Sequence, residues 1–346
     1  MKFIKRCGFI FLFYSIIHTA NACTLVFDNQ HSSKIVARNM DWVENMDINF
    51  FVYPEGIARE GYTPINPLIW RAKYGSIVAV AYENMPTDGM NEKGFSAEVL
   101  ALKESDYGKR DETIPAISII QWVQFYLDNF ATVDEAVRFT ENNSFQLIPY
   151  YHEKTKLWLN LHLAIEDASG DFAVIEYIHG KPIIYHEKDT TVLTNSPTFN
   201  LQLENLKQYA GWGGSKSLPG TTDANQRFVR AAYYLSHLPK PISSRDQVAA
   251  ISGILQNATQ PYGVASSERP FIAYTEWRTF ADLTHHIYYF NSLLNLNSFW
   301  IQFDKFNLQS GNPILKLDLK NHPDLAGDAT NLFEISSNNK FLTSGR

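Results

Sequence analysis

A thiol at Cys23 stands immediately after a segment built like a secretion signal, and that placement gives it two reactive groups at once. Lys2, Lys5 and Arg6 form a positive n-region, and Cys7 to Ile17 is an apolar stretch interrupted mainly by Gly8 and Ser15. His18-Thr19-Ala20-Asn21-Ala22 then ends in the small-x-small pattern that signal peptidase cuts. Cleavage after Ala22 makes Cys23 the first residue of the mature chain and frees its α-amine. An ordinary thiol, with a pKa of about 8.5, needs help to act as a nucleophile near neutrality. The α-amine, with an unperturbed pKa of about 8, can take the thiol proton directly or through water and return a proton to a leaving amine. That chemistry needs no histidine, and none of the ten histidines sits in a Cys-His protease signature.

Cysteine usage sharpens this reading. Cys7 leaves with the signal, so the mature chain keeps one cysteine and no internal disulfide. In an oxidising compartment a lone thiol is a liability unless it has a task. The competing reading makes Cys23 the lipidated anchor of an envelope protein that binds an apolar ligand. Lipoprotein processing prefers Leu three places before the cysteine and a small residue after it, whereas Ala20 and Asn21 stand there. The apolar run is too short to span a bilayer comfortably. The mature protein is therefore expected to be exported, periplasmic or secreted, without stable membrane insertion.

The next polar group is Arg38-Asn39-Met40-Asp41-Trp42. An arginine near a thiol favours thiolate, and a carboxylate near an α-amine holds and orients it. Strand alternation turns Arg38 and Asp41 to opposite faces unless the backbone bends near Met40. Taken alone, the pair reads as a surface ion pair beside a core tryptophan. His285-His286 are adjacent, point apart on a strand, and read as structural rather than as metal ligands. No Gly-rich phosphate loop, zinc-ligand spacing or Gly-x-Ser-x-Gly elbow is present, so no cofactor or metal is expected. The formal net charge is -6, and removing the basic signal segment leaves the rest more acidic still. An acidic body without a basic stripe argues against a nucleic-acid partner.

These residues need a scaffold, and the pattern around them is mixed. Thr24 to Phe27, Lys34 to Met40, Asn49 to Tyr53 and Ser76 to Tyr82 read as strands, and Asn91-Glu92-Lys93-Gly94 as a tight turn into Phe95 to Leu102. Pro115 to Phe130 has helical periodicity, and Thr132 caps a second helix. Leu157 to Ile165 and Phe172 to Ile178 form a hairpin, and Lys181 to Glu187 and Thr190 to Leu193 continue the sheet. Residues 208 to 221 read as a loop, followed by helices over Asp223 to Leu238 and Ser244 to Gln256. Strands at His286 to Asn291 and Ser298 to Phe303 precede a polar tail from about Asn307. Strands, then helices, then strands favour an α+β arrangement of stacked antiparallel sheets flanked by helices. With no repeat or evident linker, residues 23–346 read as a single catalytic domain behind a signal peptide at 1–22. Phe50, Phe51, Tyr53 and Trp70 could line an acyl pocket, though aromatics at such positions more often fill core.

Several blocks in order carry a resemblance. Cys23-Thr24, Arg38-Asn39-Met40-Asp41, Met90 to Gly94, Leu193 to Phe199, Leu218-Pro219-Gly220 and Arg227 to Ala232 together resemble the choloylglycine hydrolase family, which includes penicillin V acylases and conjugated bile salt hydrolases. Thr275-Glu276-Trp277 through Asp282 to Phe290 is a weaker match, and the whole covers about Cys23 to Phe303. The resemblance implies an N-terminal nucleophile hydrolase with a four-layer αββα sandwich, in which Cys23 is the nucleophile and its amine the base. Arg38 would sit beside the thiol and Asp41 would bind the amine. Asn195 would donate its side-chain amide to the oxyanion, a backbone N–H near Ala101 would assist, and Arg227 would complete the polar network. Trp42 and Leu100 are the expected contacts to the substrate.

Two departures stand out. Many relatives carry Asn or Tyr where this chain has Ala101, which keeps a backbone donor but loses a side-chain contact. The segment between Asn195 and Arg227 is shorter than in the Gram-positive bile salt hydrolases, so their loop-mediated tetramer is not expected, and homo-oligomerisation is left open. Trp42 beside Asp41 and the exported precursor look more like the Gram-negative penicillin V acylase branch. The expected partner is a small amide, a penicillin V-type aryloxyacetyl amide or an N-acyl homoserine lactone, with conjugated bile salts as the alternative.

Overall fold

The strand Ile35–Trp42 is buried along its whole length, although its sequence includes Arg38, Asn39 and Asp41. A strand covered on both faces must lie between two other layers, and its polar side chains must find partners there. The computed structural model describes residues 23–142, 144–241, 243–264 and 273–336; the expected signal segment, residues 1–22, lies outside them.

Two large sheets stack on each other. The first runs Val192–Leu193, Thr24–Asp28, Ile35–Trp42, Tyr274–Asp282, Ile287–Ser292, Ser298–Gln302, Gly327–Asp328, antiparallel except for the last pair. The second is antiparallel throughout, in the order Lys181–Glu187, Phe172–Ile178, Leu161–Asp167, Phe95–Ala101, Met85–Asn91, Ser76–Ala81, Asn49–Tyr53, Leu315–Leu317, Glu334–Ile335. Phe50 of the second sheet packs edge-on against Tyr288, Phe290 and Phe299 of the first, with ring centroids 5.0 to 5.8 Å apart.

Helices cover the outer faces. On the second sheet lie α1 (Trp122–Asn129) and α2 (Val133–Glu141); α3 (Phe199–Leu206) packs against α4 (Ala224–Ser236), which with α5 (Ser244–Asn257) covers the first sheet. The expected α+β, four-layer αββα sandwich is the fold observed. In α4 the residues Arg227, Ala231 and Leu235, with Phe228 and Ala232, make one buried stripe at helical spacing. Thr132 accepts the Glu135 N–H at 3.2 Å and Ser243 that of Asp246 at 3.2 Å, so both helices begin on hydroxyl caps.

Several local expectations need correction. Pro115 to Phe130 is not one helix, because Ala116–Ser118 pairs in parallel with Gln146–Ile148 before a short 3-10 turn leads into α1. Val192–Leu193 does not continue the second sheet; it crosses to the first and pairs with Thr24–Asp28. The sequence pattern does not reveal the strands Met85–Asn91 and Tyr274–Asp282 or the helix α3. The polar segment after Asn307 is tied down, adding Leu315–Leu317 to one sheet and Gly327–Asp328 to the other. The Asn91–Gly94 turn is a fixture of the scaffold. Asn91 accepts from the Lys93 and Phe95 N–H groups and donates to the Leu127 and Phe130 carbonyls, pinning the turn to α1.

Candidate active site

Cys23 begins the described chain at the end of a central strand, and polar groups converge on it from distant segments. Its nitrogen donates to Asn195 Oδ1 at 2.5 Å. Its carbonyl accepts from Arg227 Nη1 at 2.5 Å, and the same nitrogen reaches Thr24 Oγ1. Arg227 Nη2 donates to Asn195 Oδ1 at 3.0 Å and Nε to the Thr222 carbonyl at 2.9 Å. Asn195 Nδ2 donates to the Ala101 carbonyl at 2.8 Å, which ties the site to the second sheet. The side chains of Cys23, Thr24, Asn195 and Arg227 are all buried.

Alternation along Ile35–Trp42 sorts the remaining groups onto two faces, with no bend needed. Arg38 faces the second sheet, donating to the Thr87 carbonyl at 2.9 Å and lying 3.5 Å from Asp88. From there its Nη2 stands 3.5 Å from Cys23 Sγ and 3.4 Å from Met40 Sδ. Asn39, on the opposite face, bonds the Leu255 carbonyl of α5 at 2.9 Å, and Asp41 shares its parity. Asp41 Oδ1 accepts from Thr275 Oγ1 at 2.5 Å, while Oδ2 is buried with no hydrogen-bond partner among the described residues. The bulge lies on the neighbouring strand, where Glu276 is the extra residue between Thr275 and Trp277. Arg38 thus addresses the thiol from between the sheets, and Asp41 lies toward the helices with Arg227.

Burial pushes the Cys23 thiol above its ordinary value, with Arg38 pulling against it, so a base must take its proton. Burial also opposes the charge of Arg38, but Cys23, Asp88 and Glu98 more than restore it. Asp41 is pushed up to about 7 by burial, against the pull of Arg227 and the Thr275 hydroxyl. In the described chain the Cys23 nitrogen is a peptide N–H. Cleavage before it would place an ammonium within reach of Asn195 Oδ1, and the free oxygen of Asp41 is a carboxylate of the right charge to hold it.

The thiol opens onto a narrow apolar pocket with a cavity volume of about 50 Å³. Met40, Trp42, Met46, Met85, Ile120 and Leu159 are among its walls, and Ala101 borders it beside Cys23. Trp42, expected to contact the substrate, lies among these walls. Leu100 does not line the pocket, because the strand turns Val99 and Ala101 to it and Leu100 to the opposite face. Phe50 packs between the sheets and Trp70 donates to Asp128 at 2.7 Å, so both fill core. The methionines, Leu159 and Ile120 were missed, since nothing in their local pattern separates pocket wall from core. Thr275 lay within a block already noticed, and Asp88 stands two residues before another. His285 and His286 lie in the turn between two strands and bond separate carboxylates, Asp282 at 2.8 Å and Asp304 at 2.7 Å. Among the described residues no group of three or more His, Cys, Asp or Glu could hold a metal ion.

Comparison with known proteins agrees with this geometry. The chain is 39% identical to a penicillin V acylase of Pectobacterium atrosepticum over 86% of its own length and 85% of that protein. It is 26% identical to a bile salt hydrolase/transferase of Clostridium perfringens, over 84% of this chain and 95% of the other. The structure of a penicillin V acylase from Agrobacterium tumefaciens superposes with a TM-score of 0.82 at 39% identity, covering 91% of this chain and 98% of that one. A sequence model of linear amide C–N hydrolases of the choloylglycine hydrolase family matches residues 23–316. An apolar pocket ending on a thiol, on a sandwich shared with such enzymes, places the chain in that family: it is an amidohydrolase of the choloylglycine hydrolase family, acting on linear amide C–N bonds.

Proposed function

We propose that the protein is exported, is cut after Ala22, and hydrolyses small N-acyl amides through an acyl-enzyme on Cys23. The observation that carries the reading is the thiol at the base of the apolar pocket, 3.5 Å from Arg38, with its own nitrogen held by Asn195. The freed α-amine takes the thiol proton as sulfur attacks the amide carbonyl. The developing oxyanion is stabilised by Asn195 Nδ2, which has a second N–H beyond the one given to Ala101, and by a backbone N–H near Ala101. The amine leaves with a proton from the α-ammonium. Water, deprotonated by the same amine, then releases the acid and restores the thiol.

The pocket suits an apolar or aryl acyl group, with polar surface almost absent from its walls. Similarity to penicillin V acylases supports an aryloxyacetyl amide or an N-acyl homoserine lactone as substrate; conjugated bile salts remain the alternative within the same mechanism. Lipidation of Cys23 would demand that a thiol now buried beneath the pocket reach a membrane, and it would leave Arg38, Asp41, Asn195 and Arg227 without a task.

The test is the intact mass of the exported protein together with turnover of Cys23→Ser. The reading expects a chain starting at Cys23, and a variant that folds normally with turnover down at least about a thousandfold. A mature start elsewhere, a lipid on Cys23, or full activity in the serine variant would overturn it.

A further inference from the structure

The hairpin turn beside the pocket has a backbone shape that its residues do not favour. Tyr82 and Glu83 have φ of 50° and 63°, and the Asn84 N–H returns to the Ala81 carbonyl at 3.1 Å, which makes a type I′ turn. Such turns select Asn-Gly, because a β-carbon crowds the backbone in the left-handed region. Tyr82 keeps this shape among an unusual set of neighbours. Its N–H donates to the Met46 carbonyl at 2.8 Å. Its hydroxyl accepts the Trp42 indole N–H at 2.9 Å and donates to Glu44 Oε1 at 2.7 Å. Burial and Glu44 push the phenol up, so it holds its proton and stays available as that donor.

The ring of Tyr82 is gripped from the other side. His152 lies 4.3 Å from it, centroid to centroid, and the Lys154 ammonium 5.2 Å from its centroid. Lys154 also pairs with Glu44 at 3.3 Å. Both residues belong to the hairpin of Tyr150–His152 and Leu157–Leu159, whose Leu159 lines the pocket together with Trp42 and Met46. One tyrosine therefore joins three pieces of wall: the Trp42 indole, the Met46 backbone and the hairpin that carries Leu159.

We propose that Tyr82 is a positioning residue for acyl-group selectivity, fixing the Trp42 indole through its hydroxyl and seating the Tyr150–Leu159 hairpin through its ring. The inference rests on the proposed reading that this pocket takes the acyl group. Among the described residues Tyr82 makes no hydrogen bond or ring contact to Cys23 or its polar partners, so its influence should fall on binding of a bulky acyl group and not on the chemistry.

The experiment is a double-mutant cycle of Tyr82→Phe and Trp42→Phe, with kcat and KM measured on an acetyl amide and a phenoxyacetyl amide of the same amine. Tyr82→Phe keeps the ring and removes the hydroxyl. KM for the phenoxyacetyl amide should rise roughly fivefold, the usual scale for one buried hydrogen bond, while kcat and its pH profile on the acetyl amide stay unchanged. The double variant should be no worse than Trp42→Phe alone, because a phenyl ring in place of the indole has no N–H to hold. Equal loss on both amides, no loss on either, or fully additive losses would overturn the role of Tyr82 while leaving the hydrolase reading intact. A wild-type protein that cleaves neither amide would instead remove that reading and the inference with it.

Discussion

Asp41 and Asp128 are both fully buried carboxylates beside arginines, and they differ in what is left over. Asp128 Oδ2 accepts the Trp70 indole N–H at 2.7 Å and forms an ion pair with Arg59, whose Nε lies 2.7 Å away, and Oδ1 accepts from Gln124 at 2.8 Å. Arg59 lies 4.4 Å from the centroid of the Tyr53 ring, and none of these residues borders the Cys23 pocket. Both oxygens of Asp128 are taken, so its charge is spent on tying α1 to two short strands. Asp41 has one oxygen bonded and one without a partner among the described residues, and it sits behind a thiol that opens onto a cavity. Buried ion pairs are weak evidence of function by themselves. An unused lone pair beside a reactive atom and a pocket is the better sign.

Breaking the closed cluster should give the largest effect. Asp128→Ala leaves Arg59 buried without its counter-charge, which typically costs about 3–5 kcal/mol. Chemical denaturation should show that loss, and turnover per folded molecule should match wild type. If turnover per folded molecule dropped sharply, the division between the two regions would fail.

The open cluster should respond in reverse. Asn195→Ala removes the proposed oxyanion donor and should raise the barrier by about 3 kcal/mol, a hundredfold or more in kcat. It also removes the acceptor for the Cys23 nitrogen and Arg227, so some stability is lost as well. The contrast is sharpest in the ratio of the two losses, which is read from kcat and denaturation on one preparation.

A smaller effect separates Asp41 from Asp128 by pH. While the Cys23 nitrogen is a peptide N–H, Asp41 in the folded chain titrates at about 7, above the ordinary carboxyl value of 3.8. The folded state then holds a proton that the unfolded state has released. Its contribution is full below the unfolded value and disappears as pH rises through the folded one. A chain retaining residue 22 should lose about 2 kcal/mol between pH 5 and 7 relative to its Asp41→Asn variant. Freeing the α-amine puts a cation near Asp41, lowers its titration and shrinks that slope. Urea unfolding of both forms at the two pH values checks this, and equal slopes in the cut and uncut chains would remove Asp41 as the partner of the amine.

Much of the scaffold was legible because its signals are local. Thr132 caps a helix through the residue three places on, and the Asn91–Gly94 turn declares itself by its own composition. Ala116–Ser118 misled, because its partner is Gln146–Ile148, some thirty residues away, and pairing overrode a helical period. Tyr274–Asp282 was seen only as a motif, since Thr275 and Thr279 stand on its buried face and interrupt the apolar alternation that marks a strand. At the site, Arg38 and Asp41 were correctly separated by parity, but nothing local said that the two faces serve opposite sides of one cysteine.

By itself the sequence determined the chain's kin: a thiol after a segment patterned like a secretion signal, the residues that accompany it, and their order along the chain. Those properties lie in residue type and spacing, which folding does not alter. Only the tertiary structure decided which of many apolar residues line the pocket, that Arg38 reaches the thiol from a floor supplied by Thr87 and Asp88, and that Tyr82 braces Trp42. Alternation assigns a side chain to a face, but what stands across that face depends on which layer packs there. The bond from the Cys23 nitrogen to Asn195 spans 172 residues, a distance over which pattern carries no information and packing carries all of it.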